Sequence, residues 1–248
     1  MKLLTIQDVS VSYGRAPVLS HVWLDVYTDD FLGIIGPNGG GKTTLVKAVM
    51  GLVPYSGRID FAPGFFDGSR AIGYMPQVND FDRKFPITIR ELVLSGLQSR
   101  RGFWGRYTRA DRRQAAALLD FAGIAGFAGK TPDSLSGGQL QRALLCRAVI
   151  SEPALLILDE PANFVDNRFE GELYAMLQRL NERMAIIMVS HDVGTIAGVV
   201  KDIVCVNRTV HRHEGSDIDP EQLENYGCPI QVVAHGRVPH TVPAPYDR

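Results

Sequence analysis

At 248 residues the chain is long enough for one substantial core, or for one core with an inserted subdomain. Its 26 basic and 27 acidic residues leave a net charge of −1, which excludes a global pull toward nucleic acid while leaving room for a local patch. No apolar run approaches the roughly 18 residues that span a bilayer, Gln7-Asp8 closes off any signal-peptide core after Leu3-Leu4, and Cys146, Cys205 and Cys228 form an odd, motif-free set suited to a reducing compartment, so a soluble intracellular chain is expected.

Residues 2–35 alternate apolar and polar positions (Leu4, Ile6, Val9, Val11, then Val18, Val22, Leu24, Val26), which is the period of a strand. Asp29-Asp30 marks a turn, and the apolar run from Phe31 to Ile35 reads as a buried strand. It leads directly into Gly36-Pro37-Asn38-Gly39-Gly40-Gly41-Lys42-Thr43-Thr44, the complete phosphate-loop pattern of Gly, four residues, then Gly-Lys-Thr. Glycines let successive backbone N–H groups converge on phosphate oxygens with no Cβ in the way. Lys42 offers a point charge to the β and γ phosphates, and Thr43 a hydroxyl to Mg²⁺. A glycine-rich turn that binds nothing is the plain alternative, and the Gly-Lys-Thr-Thr ending between strand and helix argues against it. The spacing predicts a helix over 42–52, stopped by Pro54, and strands at Ser56–Phe61 and Ala71–Met75.

Past Gln77 the character changes. Thr88 with Glu91, and Thr108 with Asp111, are capping boxes that open helices reaching about Leu97 and Phe121. Glycines at 123, 126 and 129 break the pattern before Leu135, so Val78–Ser134 reads as a mostly helical insert. Alternation then resumes, with helices at Gln139–Ile150, Asn167–Leu180 and from Val193, and strands at Leu155–Leu158, Ala185–Ser190 and Asp202–Val206. That order predicts a parallel sheet flanked by helices. After Asn207 the pattern decays, and Pro239, Pro243 and Pro245 suggest a tail.

A parallel sheet holds its ligands at strand C-termini, so Asp159-Glu160, closing an apolar strand, should emerge beside the phosphate loop. Asp159 could hold Mg²⁺ through water, leaving Glu160 to act as general base on an attacking water. Ser136-Gly137-Gly138-Gln139 opens a helix whose free N–H groups can face an anion, although an ordinary Ser cap would look the same in isolation. Between Gln98 and Arg113, six arginines (100, 101, 106, 109, 112, 113) stand against Asp111, with Phe103, Trp104 and Tyr107 among them. A solvated helix face ranks ahead of a nucleic-acid patch for this stretch. Cys205, His211, His213, Cys228, His235 and His240 match no zinc spacing, which favours no metal site over a regulatory one.

Gly36–Thr43 followed by Leu135-Ser-Gly-Gly-Gln139 and by Leu155–Glu160 resembles the ATP-binding subunits of ABC transporters, over a stretch running from about Tyr13 to His191. The resemblance implies an α/β P-loop NTPase core, a mixed sheet with N-terminal antiparallel strands and a parallel sheet flanked by helices, plus an inserted helical subdomain. Residues 1–77 and 135–206 would be the ATP-binding core, 78–134 the helical subdomain and 207–248 a C-terminal extension. It also implies that two copies meet head to tail, each covering the other's ATP with Ser136–Gln139, and that the insert docks membrane subunits near anionic lipid, which puts docking or membrane proximity first for the arginines of Gln98–Arg113. In that setting Tyr13 would stack on adenine, Gln77 would sense Mg²⁺ or the attacking water, and His191 would reach the γ-phosphate. Asp166 would sit in a loop crossing the dimer seam, although Ala162-Asn-Phe-Val-Asp166 departs from the usual Thr-Ser-Ala-Leu-Asp.

The triple glycine, Phe85-Pro-Ile-Thr88, Val206-Asn-Arg208 and the run from Tyr226 through Cys228 to His235-Gly look like the ATPases of bacterial zinc and manganese importers. This implies ATP and Mg²⁺ as cofactors, a transmembrane permease, a second copy of the chain and indirectly a substrate-binding protein as partners, and a place on the cytoplasmic face of the inner membrane. Export, lipoprotein release or a soluble ATPase of cofactor assembly are the alternatives. DNA-repair relatives carry long coiled coils or zinc modules between the ATP motifs, for which the spacing from Lys42 to Ser136 leaves no room.

Overall fold

This computed structural model describes residues 1–66, 72–77, 81–98, 105–161, 167–191, 193–215, 230–235 and 238–243. Strands β1 (Lys2–Tyr13) and β2 (Ala16–Tyr27) form an antiparallel hairpin. Their alternating residues Leu4, Ile6, Val9 and Val11, and Leu19, Val22, Leu24 and Val26, are all buried, each stabilising the fold by about 1.5–3 kcal/mol. The ladder slips between Ile6 and Val9, near Asp8, and Asp8 and His21 both take positive φ. β3 (Phe31–Ile35) is buried at every position, as its unbroken apolar run requires. Helix α1 (Lys42–Val49) follows, then β4 (Ser56–Phe61), which pairs antiparallel with β1. α1 ends at Met50 and Gly51, whose φ of 69° supplies the left-handed exit, so the stop comes before Pro54.

β5 (Gly73–Met75) precedes α2 (Ile89–Ser95) and α3 (Arg109–Phe121). Both helices start on the expected capping boxes, Thr88 with Glu91 and Thr108 with Asp111. α4 (Gly137–Val149), β6 (Leu155–Asp159) and α5 (Asn167–Asn181) complete this stretch. The chain continues through β7 (Ala185–Val189), α6 (Val193–Ala197), β8 (Asp202–Asn207) and β9 (Thr209–His213), and then β10 (Ile230–His235) and β11 (Val238–Pro243).

Two compact units result, residues 1–63 with 185–248, and residues 64–184. In the first, β2, β1 and β4 make an antiparallel sheet, while β3 runs parallel to β7 on one side and β8 on the other. In the second, β5 and β6 pair in parallel, with α2 and α4 in backbone contact: a Cβ on Gly96 would lie 2.0 Å from the Arg147 carbonyl. The mixed sheets and flanking helices are those of a P-loop NTPase core.

The expected decay after Asn207 is corrected. β9 pairs antiparallel with β8 through a tight turn at Arg208, which takes φ 61°, and β10 and β11 form a hairpin despite Pro239 and Pro243. A charge holds β9 in place. Arg212 donates to Asp30 (2.9 Å), to Asp202 and to the Asp25 carbonyl (2.9 Å), and lies over the Tyr27 ring. Burial alone would raise the Asp202 carboxyl, but the Gly215 N–H and Arg212 together hold it below its ordinary value. This contribution is therefore present at neutral pH and fades as pH falls below about 4. Arg212→Met would leave two carboxylates without their cation, and we expect a loss of roughly 2–3 kcal/mol, discounted for partial exposure. A urea midpoint unchanged from wild type would show that the carboxylates simply rehydrate.

Candidate functional site

In the first unit Ile34 of β3 lies beside Val189 of β7. Gly36 and His191 each follow two residues later, so the phosphate loop and His191 leave the same end of this sheet. The Ser190 N–H donates to the Ile34 carbonyl at 3.0 Å, extending the ladder to the threshold of His191, which is exposed. On the other flank, Ile35 pairs with Cys205, bringing the Val206 carbonyl under the loop. A Cβ on Gly36 would come within 2.0 Å of that oxygen, and one on Gly40 within 2.7 Å. Gly36, Gly39 and Gly41 all have positive φ; at Gly36 angle and space both demand glycine, whereas at Gly39 the space is open and the angle alone does.

The Arg208 N–H donates to the Gly40 carbonyl at 2.9 Å, and the Arg208 carbonyl accepts from the Ser20 N–H at 2.7 Å. The turn that opens β9 thus buttresses the loop, a role the sequence pattern did not reveal. Lys42 is 8% exposed, and its Nζ donates to the carbonyls of Gly36 (2.8 Å) and Pro37 (3.0 Å). Asn38, Gly39 and Thr43 are exposed, Pro37 is half-buried, and Thr44 is packed inward. A glycine loop with its backbone bare of side chains, a lysine ammonium and an exposed threonine suit a polyphosphate and its metal. Tyr13 stands half exposed at the end of β1, opposite Ala16.

In the second unit Met75 of β5 lies beside Leu158 of β6. Gln77 and Glu160 each stand two residues beyond, so they leave that strand pair at one end. Asp159 is 4% exposed, and Glu160 is half-buried with φ 50°. A left-handed non-glycine residue costs of order 1–3 kcal/mol, and such strain gathers at functional positions. Ser136 caps α4: its hydroxyl accepts from the Gln139 N–H (3.3 Å), while its own N–H donates to Gln139 Oε1 (3.0 Å). Gly137 and Gly138 then form the first helical positions, leaving exposed Ser136 at a helix N-terminus able to receive an anion. Asp166 and its neighbours from Ala162 lie outside the described residues.

α4 is gripped by residues that the motif reading passed over. Buried Arg142 donates to the Ala122 carbonyl at 2.9 Å and pairs with Glu172 of α5. Arg147 Nε reaches Ser95 Oγ at 3.1 Å, and Arg83 Nη1 reaches the Leu135 carbonyl at 3.4 Å. An arginine inside an apolar-periodic helix is the one available signal, since a buried cation demands partners. Cys146 is no nucleophile here, because burial pushes its thiol up to about 12 and Sγ donates to the Leu118 carbonyl.

Arg106, Arg109, Arg112 and Arg113 are exposed, whereas Arg100, Arg101, Phe103 and Trp104 lie outside the described residues. No group of three His, Cys, Asp or Glu able to hold a metal occurs among the described residues. His211 meets Thr209 at 3.2 Å; Cys228 and the side chains of His235 and His240 are outside the described set.

The family model described as ABC transporter matches residues 19–163. A "Probable metal transport system ATP-binding protein" of Thermotoga maritima is 36% identical over 228 residues, covering 90% of each chain. The "Zinc import ATP-binding protein ZnuC" of Paracoccus denitrificans is 38% identical over 209 residues, 83% of this chain and 76% of that one. Among solved structures, an inward-facing ABC transporter described as of metal-chelate type aligns with TM-score 0.83 at 24% identity, covering 98% of this chain and 97% of that one. An ATP-binding cassette solved as a dimer with ADP and phosphate aligns with TM-score 0.71 at 23% identity, covering 86% and 98%.

Proposed function

The chain belongs to the ABC transporter ATP-binding family, and from that premise we propose that it is the ATP-hydrolysing motor of an importer for a divalent metal ion of the zinc or manganese class. The observation that carries the cargo class is the identity of 36–38% with proteins named for metal transport and zinc import. The ion is cargo for a separate permease. No helix among the described residues is long and apolar enough to cross a membrane. The proposal places the chain at the cytoplasmic face of the inner membrane, bound to a permease and, through it, to a substrate-binding protein.

In this reading residues 1–77 and 135–206 form the ATP-binding core, 78–134 a helical subdomain that docks the permease, and 207–248 an extension. Gly36–Gly41, Lys42, Thr43 and Thr44 bind the phosphates, and Tyr13 stacks on the adenine. Oxygen donors suit Mg²⁺; the Asp159 carboxylate, the Thr43 hydroxyl and Gln77 are of that kind and would hold it in this reading. The metal, when bound, neutralises charge on the β and γ phosphates. Glu160 takes the proton of the attacking water, and the left-handed backbone supports a fixed aim for its carboxylate. His191 donates to the γ-phosphate. Two copies are proposed to meet head to tail, Ser136–Gln139 and Asp166 of each serving the other's ATP.

The test is a pull-down of the Glu160→Gln protein from membranes with Mg-ATP. A polytopic permease should come along, and metal uptake by that pair would name the ion. Recovery of soluble partners alone would favour an ATPase of cofactor assembly instead.

A further inference from the structure

Gln141 lies within α4, on the helix that Ser136 opens, and is 2% exposed. Its Nε2 finds no hydrogen-bond partner among the described residues. A buried amide donor left unpaired is costly, and a leucine in its place would remove that cost. An acceptor that arrives in another state of the protein would account for its presence.

The neighbours of α4 indicate where that acceptor lies. Gln141, Leu145 and Ala148 share one face, being spaced by four and three residues. The Ala148 carbonyl lies against β5, 2.4 Å from where a Cβ on Gly73 would stand. At the other end, Arg83 reaches the carbonyl of Leu135, just before Ser136. Gly73 and Arg83, on either side of Gln77 in sequence, therefore meet opposite ends of α4, in antiparallel order. From Ala148 back to Gln141 is about 10 Å of helix, and from Gly73 forward to Gln77 is about 13 Å of extended chain. Gln141 is thus level with Pro76-Gln77.

We infer that Gln141 is a positioning residue for Gln77: when Mg-ATP draws Gln77 into place, the Gln141 Nε2 donates to a backbone carbonyl of Pro76-Gln77 and holds it there. The signature helix and the Gln77 segment would then move as one, so a helix seated on a partner's ATP also fixes Gln77 of its own subunit. This rests on the proposed role of Gln77.

The experiment measures ATP turnover and thermal stability of full-length Gln141→Leu, Gln141→Met, Gln77→Ala and the Gln77→Ala/Gln141→Leu pair. Both Gln141 variants should be at least as stable as wild type yet turn over about tenfold more slowly, with KM for ATP within about twofold. The paired variant should be no slower than Gln77→Ala alone. A merely structural glutamine would lower stability and activity together. Wild-type turnover in the Gln141 variants beside a slow Gln77→Ala overturns the positioning alone, as do fully multiplying effects. Full turnover by Gln77→Ala removes the proposed role of Gln77 and this inference with it. Failure of both Gln141 variants to fold overturns it too, since a donor unpaired in the ground state does not hold that state together.

Discussion

Glu160→Gln is expected to keep Mg-ATP bound while slowing its turnover about 10²–10⁴-fold, the range for losing a general base. The amide is nearly isosteric with the carboxylate and keeps the left-handed backbone that Glu160 already tolerates. It also removes one negative charge from the end of β6, where buried Asp159 remains. Nucleotide affinity should therefore hold or rise, and the protein should accumulate as an ATP-bound dimer. Single-turnover hydrolysis and sedimentation with and without Mg-ATP read both effects. Turnover near the wild-type rate would remove Glu160 as the base.

Ser136→Arg should leave each lone chain able to bind ATP and abolish ATP-dependent dimerisation. The phosphate loop is assembled from β3, α1 and β8, none of which contains Ser136. What changes is the first turn of α4: the hydroxyl that accepts from the Gln139 N–H disappears, and a long cation stands where a γ-phosphate is expected. Ser136→Ala separates the two effects. It loses only the cap, costing about 1 kcal/mol of stability, and should still dimerise with ATP. Dimers forming normally in the arginine variant, measured in the Glu160→Gln background, would sink the shared-site arrangement.

The fold was legible wherever local chemistry agreed with tertiary demand. The run Phe31–Ile35, the capping residues Thr88, Thr108 and Ser136, and the alternation of β1 and β2 all signal their elements within a few residues. It failed where a long-range partner decides. β9 carries a charge at Arg212, and the distant carboxylates of Asp30 and Asp202 make it acceptable there. Its turn uses a left-handed arginine where glycine or asparagine would have been the sign. The candidate site divides the same way: Gly36–Lys42 announce themselves by spacing, but the Val206 carbonyl and the Arg208 N–H that shape the loop belong to a strand far along the chain. Gln141 and Arg142 were passed over because one polar position in an apolar helix reads as a solvent face until burial is known.

The Lys42 ammonium contacts to the Gly36 and Pro37 carbonyls also bear on how quickly the loop can be loaded. An ammonium bridging two loop carbonyls is an internal cross-link that ties the end of the glycine loop to its start. An incoming triphosphate meets a cation already in position and takes the place of these neutral oxygens. The ordering of a flexible, glycine-rich segment is thereby charged to folding rather than to each binding event. Loading then becomes a ligand exchange at one nitrogen, in which loop and cation are ready before the substrate arrives.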